Sequence, residues 1–144
     1  MKVQGSVSVA EVKAEDLWKM ISNVDEISRC FPGLKNIQKV GENSYKVTGQ
    51  VSVGLIKGDY TADVNFTKID ETTRTISFTA KGRGMNSVVD LVATLTLNSG
   101  ELKYDADVRV SGVLASLASR AITTVVDKIV NELIECAKSR AKVG

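Results

Sequence analysis

The chain has 144 residues, a formal net charge of +2 and 43% apolar residues, which is the composition of one ordinary globular domain. A charge this small gives no support to nucleic-acid binding, and an aromatic content of 5% leaves few rings for base stacking. Histidine is absent, which excludes Ser-His and Cys-His nucleophile pairs and the commonest zinc sites. An enzyme built from this chain would depend on Asp, Glu, Lys, Tyr or Cys side chains.

The N-terminal residues alternate between polar and apolar, so they predict a strand and no secretory signal peptide. No apolar run approaches the roughly 20 residues that span a bilayer, and we expect a cytoplasmic protein with no transmembrane segment. The two cysteines, Cys30 and Cys136, form neither a CxxC motif nor a metal-ligand spacing. We expect them to be reduced, buried thiols, with a disulfide between them as the alternative.

The first third of the chain predicts one strand followed by two short helices. Residues 2–10 alternate as in a strand, and residues 14–22 and 24–30 have the apolar spacing of helices. Pro32-Gly33 ends the second helix, because proline lacks the backbone donor that a helix needs. Six more strands are predicted, at residues 34–40, 44–53, 59–69, 74–81, 87–97 and 101–111.

The remaining sequence changes to helical spacing at Gly112. Apolar residues then recur from Val113 to Ala137, which predicts one long helix with a wide apolar face. The charged residues Asp127 and Lys138 are predicted to lie away from that face. Short connections between the strands indicate an antiparallel meander. The predicted fold class is α+β, a seven-stranded curved antiparallel sheet around the long C-terminal helix, in one domain of residues 1–144.

One face of the predicted sheet carries small apolar side chains and no charge. A curved sheet of this kind, closed by a single helix, is expected to enclose a space for an apolar molecule. The predicted ligand-binding residues are Tyr45, Val47, Tyr60, Ala62, Val64, Phe66, Phe78, Leu91, Ala93, Tyr104 and Ala106 in the strands and Ile122 and Val126 in the helix. Apolar residues near the connections predict a portal or a contact with a membrane or partner, and these are Phe31, Leu55, Ile56 and Met85.

Tyr45, Tyr60 and Tyr104 fall at the strand positions that alternate inward, so all three are predicted on the apolar face of the sheet. A buried tyrosine hydroxyl requires a hydrogen-bond partner. In one interpretation each tyrosine lies at a strand end with its hydroxyl in water. In the other, one or more of the hydroxyls faces the cavity and binds an oxygen of the ligand.

The polar motifs carry weaker signals. Lys103, Asp105, Asp107 and Arg109 alternate on one strand and predict a solvated ladder of charges on the outer face. Asp90 falls at a strand position that points outward, so an exposed carboxylate is predicted. The alternative is that Asp90 lies at the portal of the cavity. Gly82-Arg83-Gly84 lacks the spacing of a phosphate loop and favours a turn or bulge. No acid or base other than tyrosine is predicted on the inner face.

The order of these elements resembles the helix-grip fold of the START, Bet v 1 and polyketide cyclase superfamily. Local motifs resemble one branch of it, the CoxG-like family associated with carbon monoxide dehydrogenase. The matching motifs are Phe31-Pro32-Gly33, Gly49, the run 54–60, Gly82-Arg83-Gly84 with Ser87, and Gly112-Val113-Leu114-Ala115 with Ser119-Arg120. The chain departs from the family at Leu55, where proline is usual, and near Val130, where aromatic residues are common.

The resemblance implies a non-catalytic accessory protein associated with a molybdenum hydroxylase of the carbon monoxide dehydrogenase type. It also implies a bound lipid or quinone-like molecule, no covalent cofactor, and peripheral contact with the inner face of a membrane. A homo-oligomer is compatible with the sequence. Two alternatives stay open: an enzyme of the cyclase or dehydratase kind that uses a cavity tyrosine, and a structural partner whose core is filled.

Overall fold

The computed structural model of the chain describes residues 1–54, 56–117 and 119–143. Within these residues the chain forms seven strands, two short helices, a 3₁₀ turn and one long helix. The strands are β1 (Lys2–Ser8), β2 (Leu34–Lys39), β3 (Ser44–Val53), β4 (Ile56–Asp70), β5 (Thr75–Gly84), β6 (Ser87–Asn98) and β7 (Glu101–Gly112). The helices are α1 (Ala14–Ile21), α2 (Val24–Ser28), the 3₁₀ turn (Val113–Ser116) and α3 (Ser119–Val143).

All neighbouring strands pair antiparallel, in the order β1-β7-β6-β5-β4-β3-β2. The predicted fold class is confirmed. Two strand boundaries differ from the prediction, because pairing extends further than the alternating pattern. β4 begins at Ile56, and β5 runs to Gly84, so Gly82-Arg83-Gly84 is paired strand and not the predicted turn or bulge. The long helix also differs, since it begins at Ser119 and not at Val113, where a 3₁₀ turn (Val113–Ser116) precedes it.

The buried core lies on one side of the molecule, where β1, β6 and β7 meet α1 and the C-terminal part of α3. On α1, Leu17 and Trp18 are 0% and 5% exposed, and Glu15 and Asp16 occupy the first turn, where the helix dipole favours anions. On α3, Ile134 is buried at 1% exposure. α3 packs mainly against α1 and β1. The inner face of β3, β4 and β5 is therefore less covered than that of β1, β6 and β7.

The C-terminal part of α3 is tied to the rest of the fold by covalent and ionic contacts. Cys136 forms a disulfide with Cys30, with the two Cα atoms 5.5 Å apart, so the prediction of reduced thiols is wrong. A Cys pair whose Cα atoms lie at this distance can be bridged without moving the backbone. One turn later, Arg140 Nη2 lies 3.0 Å from Glu26 Oε2 on α2. α3 is thus fixed to the segment that leads into β2.

Lys138 also anchors α3, and its burial corrects the prediction that it lies away from the packed face. It is 6% exposed, and its Nζ donates to the Ser8 carbonyl at 3.1 Å. Its ammonium pairs with Glu135 at 2.6 Å and with Glu11. Burial lowers the pKa of this amine, but the two carboxylates outweigh it and leave the pKa raised. Lys138 is therefore a charged, satisfied contact with the end of β1.

Candidate ligand-binding site

The inner faces of β3, β4 and β5 are apolar but only half-buried. Cross-strand partners share a face, and the register pairs Val47 with Ala62, Val64 with Ala80, and Phe66 with Phe78. Each of these six side chains is intermediate in exposure. The inner-face side chains of β1, β6 and β7 are by contrast largely buried in the core.

The predicted ligand-binding residues fall into two groups. Ala93, Tyr104 and Ala106 are buried in the core at 6%, 7% and 5% exposure. The others are half-buried, and these are Tyr45, Val47, Tyr60, Ala62, Val64, Phe66, Phe78, Leu91, Ile122 and Val126. The structure therefore groups one set around the less covered half of the sheet and assigns the other set to the packed half.

Two tyrosines each lie over a glycine of the neighbouring strand. A Cβ atom on Gly5 would lie 2.3 Å from the Tyr104 hydroxyl, and one on Gly49 would lie 2.7 Å from the Tyr60 hydroxyl. Both pairs are in direct register, Gly5 with Tyr104 and Gly49 with Tyr60. The absent side chains give the two rings room to lie along the inner face.

The Tyr104 hydroxyl donates to Oδ1 of Asp127 on α3. Burial, followed by this hydrogen bond and the charge of the carboxylate, raises the pKa of Tyr104 to about 12. Asp127 thus turns toward β7, whereas the sequence predicted it away from the apolar face. Sequence reasoning did not identify Asp127 as the partner of Tyr104, because the helical pattern of apolar residues predicts that a charged residue outside the apolar face points to solvent.

The other two tyrosines differ from Tyr104 in the surroundings of their hydroxyls. Tyr60 Oη is shielded from solvent and has no hydrogen-bond partner among the described residues. Burial raises the pKa of Tyr60, so the hydroxyl stays protonated at neutral pH. Tyr45 lies edge-on to Phe66, with ring centroids 5.9 Å apart, and Phe66 lies 5.8 Å from Phe78. These three rings form a continuous aromatic row on the inner face.

A groove of about 610 Å³ opens at one end of this row. Its apolar lining includes Tyr45, Phe66 and Ile69, and its polar rim includes Lys19 at the end of α1 and Asn23 of the α1–α2 turn. Ile69 is 43% exposed although its register partner, Ile76, is 3% exposed. The inner face is thus accessible at the ends of β3 and β4 that lie nearest the α1–α2 turn.

The outer face holds a second groove, of about 540 Å³, among the predicted ladder of charges. Asp90 is exposed there and stands in register between Lys81 and Arg109. Asp63 is paired with Arg83 at 3.2 Å, with both side chains more than half exposed. Exposed pairs of this kind are worth little and indicate a solvated surface.

The predicted portal residues lie apart from the groove at the α1–α2 turn. Phe31 is 38% exposed, Ile56 and Met85 are half-buried, and Leu55 lies outside the described residues. A Cβ on Gly58 would meet Met85 Cγ at 2.7 Å, so Met85 packs against the β4 backbone. Ile56 begins β4 and Met85 follows β5, so both lie at the ends of these strands opposite the groove.

Comparison with models of known protein families identifies the family of this chain. A family model described as the carbon monoxide dehydrogenase subunit CoxG matches residues 5–142. The chain belongs to the CoxG family. No curated protein matches it significantly.

Solved structures agree with the CoxG assignment at the level of the fold. A conserved protein from Geobacillus kaustophilus is 20% identical, with a TM-score of 0.87 over 99% of this chain and 95% of that one. A START superfamily protein from Mycobacterium smegmatis is 13% identical, with a TM-score of 0.73 over 98% of this chain and 97% of that one. The Zhui aromatase/cyclase from Streptomyces sp. R1128 is 18% identical, with a TM-score of 0.58 over 99% and 93%. The helix-grip fold expected from the sequence is confirmed.

The motifs that carry the CoxG resemblance hold the start of the C-terminal helix. Ser87 is 7% exposed, and its hydroxyl donates to the Met85 carbonyl and accepts from the Leu114 amide at 2.8 Å. Gly112, at φ +87°, passes so close to the Asn86 carbonyl that a Cβ would lie 2.3 Å from it. Gly112 and Ser87 therefore fix the β5–β6 turn to the 3₁₀ turn that precedes α3.

The described residues hold no group of three or more Cys, Asp or Glu side chains placed to bind a metal. No helix among them is long and apolar enough to cross a bilayer. The features that the site does offer are an apolar half-exposed sheet face, an aromatic row, and two tyrosine hydroxyls of different surroundings.

Proposed function

We propose that this CoxG-family protein is a non-catalytic accessory protein that holds an apolar small molecule between the sheet and α3. The observation that carries the proposal is the half-buried apolar face of β3, β4 and β5, which α3 leaves less covered than the rest. Covering apolar surface is favourable by about 25 cal/mol per Å², so a lipid or quinone-like molecule placed there gains affinity without specific polar contacts. No covalently bound cofactor is part of this proposal.

The proposed contact residues are the half-buried members of the predicted set, with Val47, Ala62 and Val64 as the floor. Ile122 and Val126 of α3 would cover the ligand, and both already pack partly against the core. The buried members of the set, Ala93 and Ala106, would support this floor from the side of β6 and β7. The apolar loop-tip residues Phe31, Ile56 and Met85 are proposed as one opening of the space.

The partner proposed from the family is a molybdenum hydroxylase of the carbon monoxide dehydrogenase type. We place the protein in the cytoplasm, at the inner face of the membrane, with a homo-oligomer as a compatible state. The Cys30–Cys136 disulfide argues against a reducing cytoplasm, because disulfides persist mainly in compartments where thiols are not kept reduced. Alkylation of thiols in intact cells, followed by mass analysis of the chain, tests whether the pair is oxidised in its own compartment.

Native mass spectrometry of the purified protein tests the proposed binding, followed by extraction with organic solvent and identification of what is released. A stoichiometric apolar mass that recurs across preparations is expected. The matched variants are Ala62→Phe on the inner face and Val92→Phe on the outer face, where Val92 is 58% exposed. Ala62→Phe should lose the bound mass while staying folded, and Val92→Phe should retain it. Equal retention by both variants would place the ligand elsewhere.

A second candidate is an enzyme of the cyclase kind, which one observation favours. Asp127 on α3 accepts from the buried Tyr104 hydroxyl on β7, and such a pair supplies an acid or base that was not predicted on the inner face. A structural relative is itself an aromatase/cyclase. Aromatic polyketide cyclisation assays on the wild type and on Asp127→Asn test this candidate. Turnover that disappears in Asp127→Asn would favour it, and a bare, inactive protein would favour the partner with a filled core.

A further inference from the structure

We infer that the ligand enters through the groove between the α1–α2 turn and the ends of β3 and β4, with its polar head at the rim of that groove. This inference rests on the proposed function, because it names the route and the head chemistry of the same ligand. The groove of about 610 Å³ is lined by inner-face residues and by residues of the α1–α2 turn together. It lies at the opposite end of β3 and β4 from Ile56 and Met85.

The register of β4 opens the inner face at this end. A register shift between Phe66 and Lys68 lets the strand bend, and beyond it Ile69 pairs with Ile76 on the inner face. Ile76 is 3% exposed, whereas Ile69 is 43% exposed. Ile69 is not isolated, because it lines the groove together with the half-buried Tyr45 and Phe66, and the three side chains form one accessible apolar surface.

An aromatic row leads from the groove into the interior. Tyr45 and Phe66 line the groove, and Phe78 continues the row on β5 at 5.8 Å from Phe66. The rings offer a flat or extended apolar molecule continuous contact from the rim to the floor formed by Ala62 and Val64. At the opposite end, by contrast, the turns bind one another through Ser87, Val113 and Leu114.

The rim of the groove supplies hydrogen-bond donors. No described residue forms an ion pair with Lys19, and Asn23 uses its Oδ1 to accept from the Glu26 amide, which leaves its amide N–H groups for a ligand. Asp25 lies on the same rim and disfavours an anionic head. The head that fits is uncharged and carries acceptor oxygens, such as a carbonyl.

Uptake kinetics test the route. The probe is a decyl-substituted benzoquinone, and the signal is quenching of Trp18, the single tryptophan. Ile69→Glu puts a charge at the rim and should slow uptake about tenfold, a rise of about 1.4 kcal/mol in the barrier. Val113→Glu is the matched control at the other end, where Val113 is 63% exposed, and should leave the rate unchanged. Ile56→Glu tests whether the opening at Phe31, Ile56 and Met85 also admits the ligand, and it should slow uptake less than Ile69→Glu does.

The head contact is tested by Lys19→Met, which should weaken binding of the quinone and leave binding of decylbenzene, which lacks carbonyls, unchanged. Thermal unfolding of every variant identifies any that are misfolded. If Ile56→Glu slows uptake and Ile69→Glu does not, the groove is not the entrance, although the proposed function stands. If the wild type binds neither probe at equilibrium, the proposed function fails before the route is in question.

Discussion

Reduction of the Cys30–Cys136 disulfide should destabilise the fold strongly, because the bond closes a long loop. The two cysteines are 106 residues apart in sequence. In the chain-entropy description, a closed loop of about 100 residues contributes about 4.7 kcal/mol at 25 °C by restricting the unfolded chain. The bond also joins the C-terminal part of α3 to the segment just before β2, close to where the Arg140–Glu26 ion pair joins α3 to α2.

This contribution translates into a large change in melting temperature. Unfolding entropy is about 2.1 cal/mol/K per residue, which gives about 300 cal/mol/K for a chain of 144 residues. Dividing the loop contribution by this entropy gives a fall in Tm of about 15 °C on reduction. Residual structure in the unfolded chain makes this an upper value.

The assay compares thermal and urea unfolding of the oxidised and the reduced protein, since these two forms have the same side chains. Thiol titration in denaturant should find no free thiol in the purified protein. The double variant Cys30→Ala with Cys136→Ala is the control, and its Tm should not respond to reductant. Two titratable thiols in the untreated protein, or equal Tm values for its oxidised and reduced forms, would refute the reasoning.

Two further predictions concern the glycine–tyrosine pairs. Gly49→Ala should lower stability by about 1–3 kcal/mol, because its Cβ would lie 2.6 Å from the Gly33 carbonyl oxygen; Gly82→Ala, whose nearest neighbour would be at 3.9 Å, is the control and should be close to neutral by urea unfolding. The pKa of Tyr104 is raised from 10.0 to about 12 in the folded state, so its stabilisation is complete below pH 10 and disappears as the pH rises to 12. Tyr104→Phe should therefore show a smaller loss of stability over this range, and an unchanged loss would mean that other groups cause it.

The sheet and its order were predictable from the sequence because they depend on local patterns. Period-two alternation identified the strands, and short connections left only the antiparallel meander. The sequence did not predict that β5 extends through Gly82-Arg83-Gly84, because two glycines so close together usually indicate a turn. Only the pairing of this segment with β4 and β6 shows that it is a strand. Here Gly84 allows a close approach, as its Cβ would lie 2.4 Å from the Asp59 carbonyl.

The contacts of α3 were not predictable in the same way. A hydrophobic pattern ranks Asp127 and Lys138 as solvent-facing, yet each has a polar partner across the fold. The disulfide is equally non-local, because two isolated cysteines carry no spacing signal. In each case the information lies in a pair of residues far apart in sequence, and single-sequence periodicity reports on only one member of the pair.

α3 is held firmly at its C-terminal part and only weakly in its earlier turns. One helix can therefore stabilise the core with one part and cover a ligand with the other. Its C-terminal part carries the disulfide, the buried Lys138 and the Arg140–Glu26 pair. Its earlier turns are half-buried, and among the described residues the side-chain hydrogen bond that joins them to the sheet is the one between Tyr104 and Asp127. A ligand placed under these earlier turns would displace few packed side chains, so binding need not compete with the contacts that hold the fold. Local openings of low cost are expected at such weakly packed segments, and hydrogen exchange along α3 should be faster before Asp127 than after Ile134.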